Sequence, residues 1–144
     1  MNSGKILTDD AEITTLLQKA KTIAVVGLSP KPERDSNMVG RYLQEAGYRV
    51  IPVRPGQKTV LGETAYKRLA MIPEPVDIIA VFRASDHIMP HALEAIPMKP
   101  NCFWMQLNIQ NQEAAELLTH HGIDVVMNSC IKVEHEVLIK QTVL

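Results

Sequence analysis

Five short apolar runs recur along the chain, and each is followed by a stretch with helical spacing. The runs are rich in Val and Ile and do not alternate with polar residues, which is typical of strands buried on both faces of a parallel sheet. They are IAVVGL (23–28), RVIPV (49–53), DIIAVF (77–82), CFWMQL (102–107) and IDVVM (123–127). Strands and helices in alternation predict an α/β fold with a doubly wound parallel sheet, because right-handed crossovers place helices on both faces.

Helices are predicted before, between and after these runs. Two of them end at Gly47 and Gly122, because glycine suits the left-handed residue that closes many helices. The predicted helices span 9–21, 37–46, 66–71, 86–96, 110–121 and 131–141.

We predict the strand order 3-2-1-4-5, with the runs numbered along the chain. In that order the winding reverses beside the first strand, and ligands of open α/β sheets bind at the carboxyl ends of the strands that flank such a reversal. The loops expected to matter are therefore 29–36, 54–58, 83–86 and 108–111.

The length of 144 residues suits one domain, predicted to span 1–144, and a hydrophobic share of 46% is enough for an independent core. Fifteen Lys and Arg against sixteen Asp and Glu provide no basic field for nucleic acid or an anionic membrane. The N-terminus lacks the apolar segment of a signal peptide, and no apolar run approaches the roughly 20 residues that span a bilayer. We therefore expect a cytoplasmic protein.

The turn after the first run carries groups that suit a phosphate. A dinucleotide fingerprint would need glycines at 29 and 32, but only Gly27 is present, and no GK[ST] of a Walker loop follows. Phosphate binding requires less than either motif: backbone N–H groups, a helix N-terminus and nearby hydroxyls or cations. The turn supplies such groups from Ser29, Lys31, Arg34, Ser36 and Asn37. The alternative is an ordinary solvated loop.

The end of the second run discriminates between nucleotides. An NAD site usually has an acidic residue there, which accepts hydrogen bonds from the ribose hydroxyls, whereas the sequence VRPG has Arg54 at that position. Arginine suits a ribose that carries a phosphate, which leaves NADP or coenzyme A (CoA) with its 3′-phosphate. The alternative is a surface arginine without a ligand.

An ordered set of motifs extends this interpretation over residues 10–137. They are GLSPKPER, VRPG, LGETAY, IPEPVDIIAVFR, WMQL, NQEAAELL and MNSCIKVEH. In this order and spacing the chain resembles the small stand-alone CoA-binding proteins, whose fold is similar to the N-terminal CoA-binding domain of the succinyl-CoA synthetase alpha chain. The resemblance implies a Rossmann-like domain that holds CoA at the carboxyl ends of strands 1, 2 and 4.

The resemblance also implies a set of ligand-binding residues. Those expected to face the phosphates are Gly27, Ser29, Lys31 and Arg34. The chemistry of the turn adds Ser36 to this set, independently of the resemblance. Those expected to surround the nucleotide are Val53, Arg54, Pro55, Phe82, Arg83 and Ser85.

The chain departs from the common pattern of that family at three positions. Arg54 stands where asparagine is common in the motif VNP, which adds a cation. Asn108 stands where glycine follows WMQL, and we expect it to keep the turn because asparagine tolerates positive φ. Ser129 stands where arginine is frequent, which removes a cation.

Catalytic and metal sites receive no assignment. His87 and His91 lie four residues apart, but Pro90 disturbs the turn between them and no third ligand is visible. The remaining chemistry-bearing side chains are assigned to structure: buried thiols at Cys102 and Cys130, helix capping at His120 and His121, and packing at Trp104 and His135.

The sequence thus predicts a CoA or acyl-CoA binding protein with no catalysis of its own. The synthetase reaction is not expected, because the phosphohistidine of that enzyme lies in a domain that this chain is too short to contain. One alternative is a small NADP-dependent enzyme or subunit. Another is a regulatory module that senses CoA on behalf of an unidentified protein partner.

Overall fold

A parallel sheet forms the centre of the protein, in a computed structural model that describes residues 3–141. Five strands form this sheet, and a separate hairpin holds the other two. In chain order the strands are β1 Thr22–Val26, β2 Arg49–Val53, β3 Thr59–Val60, β4 Glu63–Thr64, β5 Ile78–Val81, β6 Cys102–Met105 and β7 Asp124–Val126. All four pairings within the large sheet are parallel, so the predicted α/β class and the five-stranded sheet are confirmed.

Helices cover the sheet near most of the predicted positions. The predicted helix over 66–71 is wrong at its start, because Tyr66 is extended beside Val53 and only a 3₁₀ turn follows. The α-helices are α1 Asp10–Lys19, α2 Asp35–Glu45, α3 Ile88–Ala95, α4 Gln112–His120 and α5 Ile131–His135. Three short 3₁₀ segments span Leu69–Met71, Ser85–His87 and Ile96–Met98, and a π-helical turn spans Glu136–Lys140. The glycines that follow α2 and α4 have φ of 102° and 81°, as their predicted capping role requires. Within residues 3–141 no helix has the length and hydropathy that a membrane span needs.

The predicted strand order is wrong in one respect. The sheet runs β2-β1-β5-β6-β7, so the third run lies beside the first and not outside the second. The outer edge of β2 is partly occupied by the segment that follows the hairpin, where Tyr66 bridges Val53 in parallel. The Arg54 N–H donates to the Tyr66 carbonyl at 2.8 Å, and the Tyr66 N–H donates to the Pro52 carbonyl at 3.0 Å. Because β2 and β5 lie on opposite sides of β1, the chain crosses back over β1 before it forms β5. The winding thus reverses beside the first strand, as expected.

The sheet is covered on both faces because successive side chains of each strand point to opposite sides. On one side Ala24 and Val26 join a core with residues of α3 and α4. On the other side Ile23 and Val25 join a core with residues of α1, α2 and α5. All four residues of β5 are fully buried, as a central strand between β1 and β6 requires.

Trp104 links the sheet to the loop that precedes α5. Its side chain is fully buried, which confirms the predicted core role, and its indole N–H donates to the Ser129 carbonyl at 2.7 Å.

We expect Trp104→Phe to lower the free energy of unfolding by about 2–4 kcal/mol, because it leaves a cavity and an unpaired carbonyl. Urea denaturation measures this loss. The control is Leu93→Ala at an exposed position, and equal losses in the two variants would contradict this account.

Candidate functional site

A cleft of about 670 Å³ opens at the carboxyl ends of β1, β2 and β5. We call it the first-loop cleft, because most of its wall comes from the turn after β1. Seven of its lining residues are among the predicted site residues: Gly27, Ser29, Lys31, Arg34, Ser36, Arg54 and Phe82. Four others were not predicted as site residues: Pro30, Glu33, Asp35 and Gln57.

Internal hydrogen bonds hold the wall of this cleft in place. The Ser29 N–H donates to the Ser36 hydroxyl oxygen at 2.9 Å, and the Lys31 N–H donates to the Ser29 hydroxyl oxygen at 3.1 Å. The side-chain amide of Asn37 donates to the Ser29 carbonyl at 2.8 Å. Each serine oxygen thus accepts a backbone N–H, which leaves its hydroxyl hydrogen free to donate to a ligand. The two serines both shape the loop and present donors.

Arg41 braces the same loop from the second turn of α2, and the sequence analysis did not identify it. Its guanidinium donates to the Asn37 side-chain oxygen at 2.8 Å and to the Pro32 carbonyl at 2.9 Å. The pair lies four residues apart, a spacing that places two side chains on one helix face. That spacing is the signal that would have found the contact.

The start of α2 contributes an anion-favouring edge to the first-loop cleft. The helix begins at Asp35, after an extended Arg34 whose side chain makes no capping hydrogen bond. The first N–H groups of a helix have no intrahelical acceptor, and they carry part of the positive end of the helix dipole. The fixed charges are mixed, because Glu33 and Asp35 line the cleft with Lys31, Arg34 and Arg54. Together these five side chains carry a net charge of +1.

A second cleft, of about 400 Å³, shares Gly27 and Arg54 with the first. Three more of the predicted residues line it: Val53, Pro55 and Arg83. The residues that the sequence analysis did not predict are Val26, Lys67, Arg68, His91 and Glu94. Four Arg and Lys side chains therefore face one carboxylate in this second cleft. Burial is the main cause that lowers the pKa of His91, and repulsion from the nearby Arg83 cation lowers it further. Its imidazole is therefore mainly neutral at pH 7.

Arg54 lies between the two clefts. Its Nη1 donates to the Gly27 carbonyl at 3.3 Å, which uses one of the five N–H donors of the guanidinium. Its side chain thereby reaches across from the end of β2 to the turn after β1. An arginine in this position can contact an anion in either cleft.

The third wall of the first-loop cleft comes from a different strand than predicted, although Phe82 itself was among the predicted residues. The prediction placed its third wall at strand 4, but the first-loop cleft takes that wall from Phe82, which follows β5, the third run. The reason is the strand order, in which β5 and not β6 is the neighbour of β1.

Ser85 lines neither cleft. Its hydroxyl oxygen accepts the Gln110 N–H at 3.0 Å, and its carbonyl accepts the Asn111 side-chain amide at 3.0 Å. It therefore joins the loop after β5 to the start of α4. Nearby, Asn108 has φ of 68°, so it makes the positive-φ turn that was predicted for it.

Three of the other histidines and cysteines, His135, His121 and Cys102, occupy structural positions. His135 is buried, its Nδ1 lies 2.8 Å from the Tyr42 hydroxyl, and its ring packs edge-on against Tyr42 and Tyr48. His121 closes α4, with its Nδ1 3.0 Å from the Leu117 carbonyl. Cys102 is fully buried as predicted, and this burial strongly raises the pKa of its thiol. The prediction of a buried thiol at Cys130 is wrong, because this residue is partly exposed. Within residues 3–141 no group of three His, Cys, Asp or Glu side chains could hold a metal ion.

The fold and the two clefts define an open α/β protein with cationic sites at its topological switch point. The chain belongs to the CoA binding domain family, which it matches over residues 21–136. This match covers most of the chain.

Similar proteins include both small proteins and part of a large enzyme. The uncharacterized protein YneT of Bacillus subtilis is 44% identical over 127 residues, which cover 88% of this chain and 94% of that protein. A solved structure from Thermus thermophilus is 41% identical with a TM-score of 0.88, covering 92% of this chain and all of that one. The ADP-forming acetate–CoA ligase I of Archaeoglobus fulgidus is 25% identical over 122 residues, covering 77% of this chain but only 18% of the ligase.

The shared wall of the two clefts requires that residue 27 has no side chain, as is the case for Gly27. Its φ is +84°, and a Cβ at this position would lie 2.7 Å from the Phe82 carbonyl oxygen.

We expect Gly27→Ala to lower the free energy of unfolding by roughly 1–3 kcal/mol more than Gly56→Ala, because the clash adds to the backbone strain. Gly56 is the matched control, since its φ is +82° and a Cβ there would meet nothing within 4 Å. Chemical denaturation compares the variants, and equal losses would show that Phe82 yields without cost.

Proposed function

We propose that this protein binds CoA or an acyl-CoA, with the pyrophosphate in the first-loop cleft and the 3′-phosphate of the ribose in the second cleft. The observation that carries the proposal is the pair of cationic clefts that meet at Gly27 and Arg54. CoA has two separate phosphate groups joined by one ribose. A ligand of that kind can place one group in each cleft while its ribose crosses the shared wall.

The first-loop cleft suits the pyrophosphate. It combines the start of α2 with the hydroxyls of Ser29 and Ser36 and the cations of Lys31 and Arg34. Helix N-termini and hydroxyl groups bind phosphate oxygens without needing a full glycine-rich motif. Because Pro30 and Pro32 have no N–H groups, side chains carry a larger share of this contact.

The second cleft suits a phosphate monoester. Such a group carries a charge of about −1.5 to −2 near neutral pH and offers three acceptor oxygens. Arg54, Arg83, Lys67 and Arg68 line the cleft that would receive it, and Glu94 alone opposes them. NAD has no phosphate at this part of the ribose, so it would leave these cations without a partner. NADP carries a phosphate on the neighbouring 2′ oxygen of the ribose, and it is therefore the informative competitor.

The family membership and the ligase relative support the same ligand. The ligase bears CoA in its name, and this chain resembles it over a segment that is 18% of its length. The proposal therefore concerns binding and carries none of the ligase reaction.

We expect CoA to stabilise the protein and NAD to leave its melting temperature unchanged. At a CoA concentration about 100 times Kd, ligand linkage predicts an increase of roughly 5–10 °C. The measurement is a thermal-shift series with CoA, acetyl-CoA, NADP, NAD and ATP. Equal shifts from CoA and NAD, a larger shift from NADP than from CoA, or no shift from CoA would each contradict the proposal.

We expect Arg54→Ala to weaken CoA binding by about ten- to a hundredfold, because a hydrogen bond to a charged group is worth roughly 1.5–3 kcal/mol. Dephospho-CoA lacks the 3′-phosphate, so its affinity should change little. Calorimetric titration of both ligands into both proteins separates the phosphate contact from a general effect of the mutation.

The matched control for this experiment is Arg49→Ala. Arg49 lies at the opposite end of the same strand, where it is exposed and pairs with Glu74. Removing it changes the net charge equally without touching either cleft, and an exposed ion pair contributes little to stability. If Arg54→Ala weakens CoA and dephospho-CoA equally, or weakens neither, Arg54 does not bind the 3′-phosphate.

A further inference from the structure

An apolar groove of about 320 Å³ adjoins the first-loop cleft, and the two share Asp35 and Phe82. We call it the Gln106 groove. Its other walls come from α2, the loop after β6 and the start of α5. Its lining residues include Met38, Gln106, Leu107, Cys130 and Val133.

Gln106 lines this groove and carries an unpartnered donor. The residue is only 3% exposed, and its Oε1 accepts the buried Ile131 N–H at 3.1 Å. Because an N–H must face an acceptor, this bond also determines which end of the amide is oxygen. The Nε2 is buried and has no hydrogen-bond partner among the described residues. A donor left in this state is costly, so a ligand that offers a carbonyl oxygen would gain from meeting it.

Three exposed apolar side chains lie at the rim of the groove, which Asp35 and Lys132 also line. Met38, Leu107 and Val133 are 39%, 59% and 50% exposed, and all three line the groove. Met38 belongs to α2, Leu107 to the loop after β6 and Val133 to α5, yet all three lie on one surface. An alkyl chain lying across them would remove this surface from water, and burial of apolar area is favourable in proportion to the area covered.

We propose that the Gln106 groove holds the acyl end of an acyl-CoA, with the Gln106 Nε2 donating to the thioester carbonyl and the acyl chain lying on Met38, Leu107 and Val133. This inference rests on the proposed function, because the CoA phosphates in the first-loop cleft direct the remainder of the ligand past Phe82. Free CoA ends in a thiol and offers neither a terminal carbonyl nor an alkyl chain. The protein therefore binds an uncharged, apolar acyl-CoA in preference to CoA itself.

The first test is the affinity of the wild-type protein for CoA, acetyl-CoA, butyryl-CoA and hexanoyl-CoA, measured by calorimetry. We expect acetyl-CoA to bind about fivefold more tightly than CoA through the carbonyl contact. Each added methylene should then increase affinity by about two- to fourfold. Equal affinities for CoA and all three thioesters would overturn the inference and leave CoA binding intact. Failure of every ligand to bind would instead overturn the proposed function.

Two variants test the two contacts separately. Gln106→Glu keeps an acceptor for the Ile131 N–H but removes the donor, so the preference for acetyl-CoA over CoA should disappear. Leu107→Ser removes exposed apolar surface, so the gain per methylene should fall while CoA binding stays unchanged. The control is Leu93→Ser, since Leu93 is 55% exposed on α3 and lies outside the groove. If Gln106→Glu weakens CoA and acetyl-CoA equally, Gln106 does not bind the thioester.

Cys130 provides a readout in the unmodified protein. It lines the groove and is partly exposed, whereas Cys102 is fully buried and its raised pKa keeps it unreactive. The alkylation rate of Cys130, measured by mass spectrometry, should fall at least severalfold with saturating hexanoyl-CoA and less with saturating acetyl-CoA. Both ligands lack a free thiol, so neither consumes the reagent. Equal rates with the two ligands would place the acyl chain outside the groove.

Discussion

The structure depends most on the close approach of three backbones just beyond the end of β1. The Gly27 N–H donates to the Val53 carbonyl at 2.9 Å, and the Phe82 N–H donates to the Val26 carbonyl at 2.9 Å. These bonds continue the parallel pairing past the strands on both sides of β1. Gly27 permits the approach because it has no side chain to meet Phe82. The loops that follow β1, β2 and β5 therefore meet at one place, and the two cationic clefts share it.

Preorganisation is the property that this arrangement provides. The turn after β1 is held by hydrogen bonds that involve Ser29, Ser36, Asn37 and Arg41, and none of these bonds needs a ligand to form. A loop that is already ordered loses little entropy when an anion enters, so more of the contact energy appears as affinity. The proposed nucleotide site and the Gln106 groove both adjoin this rigid turn. The positions of these two sites relative to each other are therefore fixed by the turn.

Much of the fold could be predicted from local patterns. Continuous apolar runs predicted all five strands of the sheet, because strands buried on both faces have no polar side. The hairpin of Thr59–Val60 and Glu63–Thr64 was missed, since two-residue strands are too short to show a period. The order of the strands was also missed in part. Hydrophobic runs carry no record of which neighbour they pair with, and the contact between Val53 and Tyr66 that occupies the edge of β2 joins residues with no distinctive pattern.

The sequence by itself determined the α/β class, the turn at Gly27, the positive φ of Asn108 and the presence of Arg54 at the end of β2, because each depends on residue type at one position or on spacing along one element. Only the tertiary structure decided that Arg54 lies between two clefts, that Ser85 lines neither of them, and that Gln106 is buried with an unpartnered donor. Those facts depend on which strands become neighbours. Strand pairing is a balance of many long-range contacts, and no short stretch of sequence contains them.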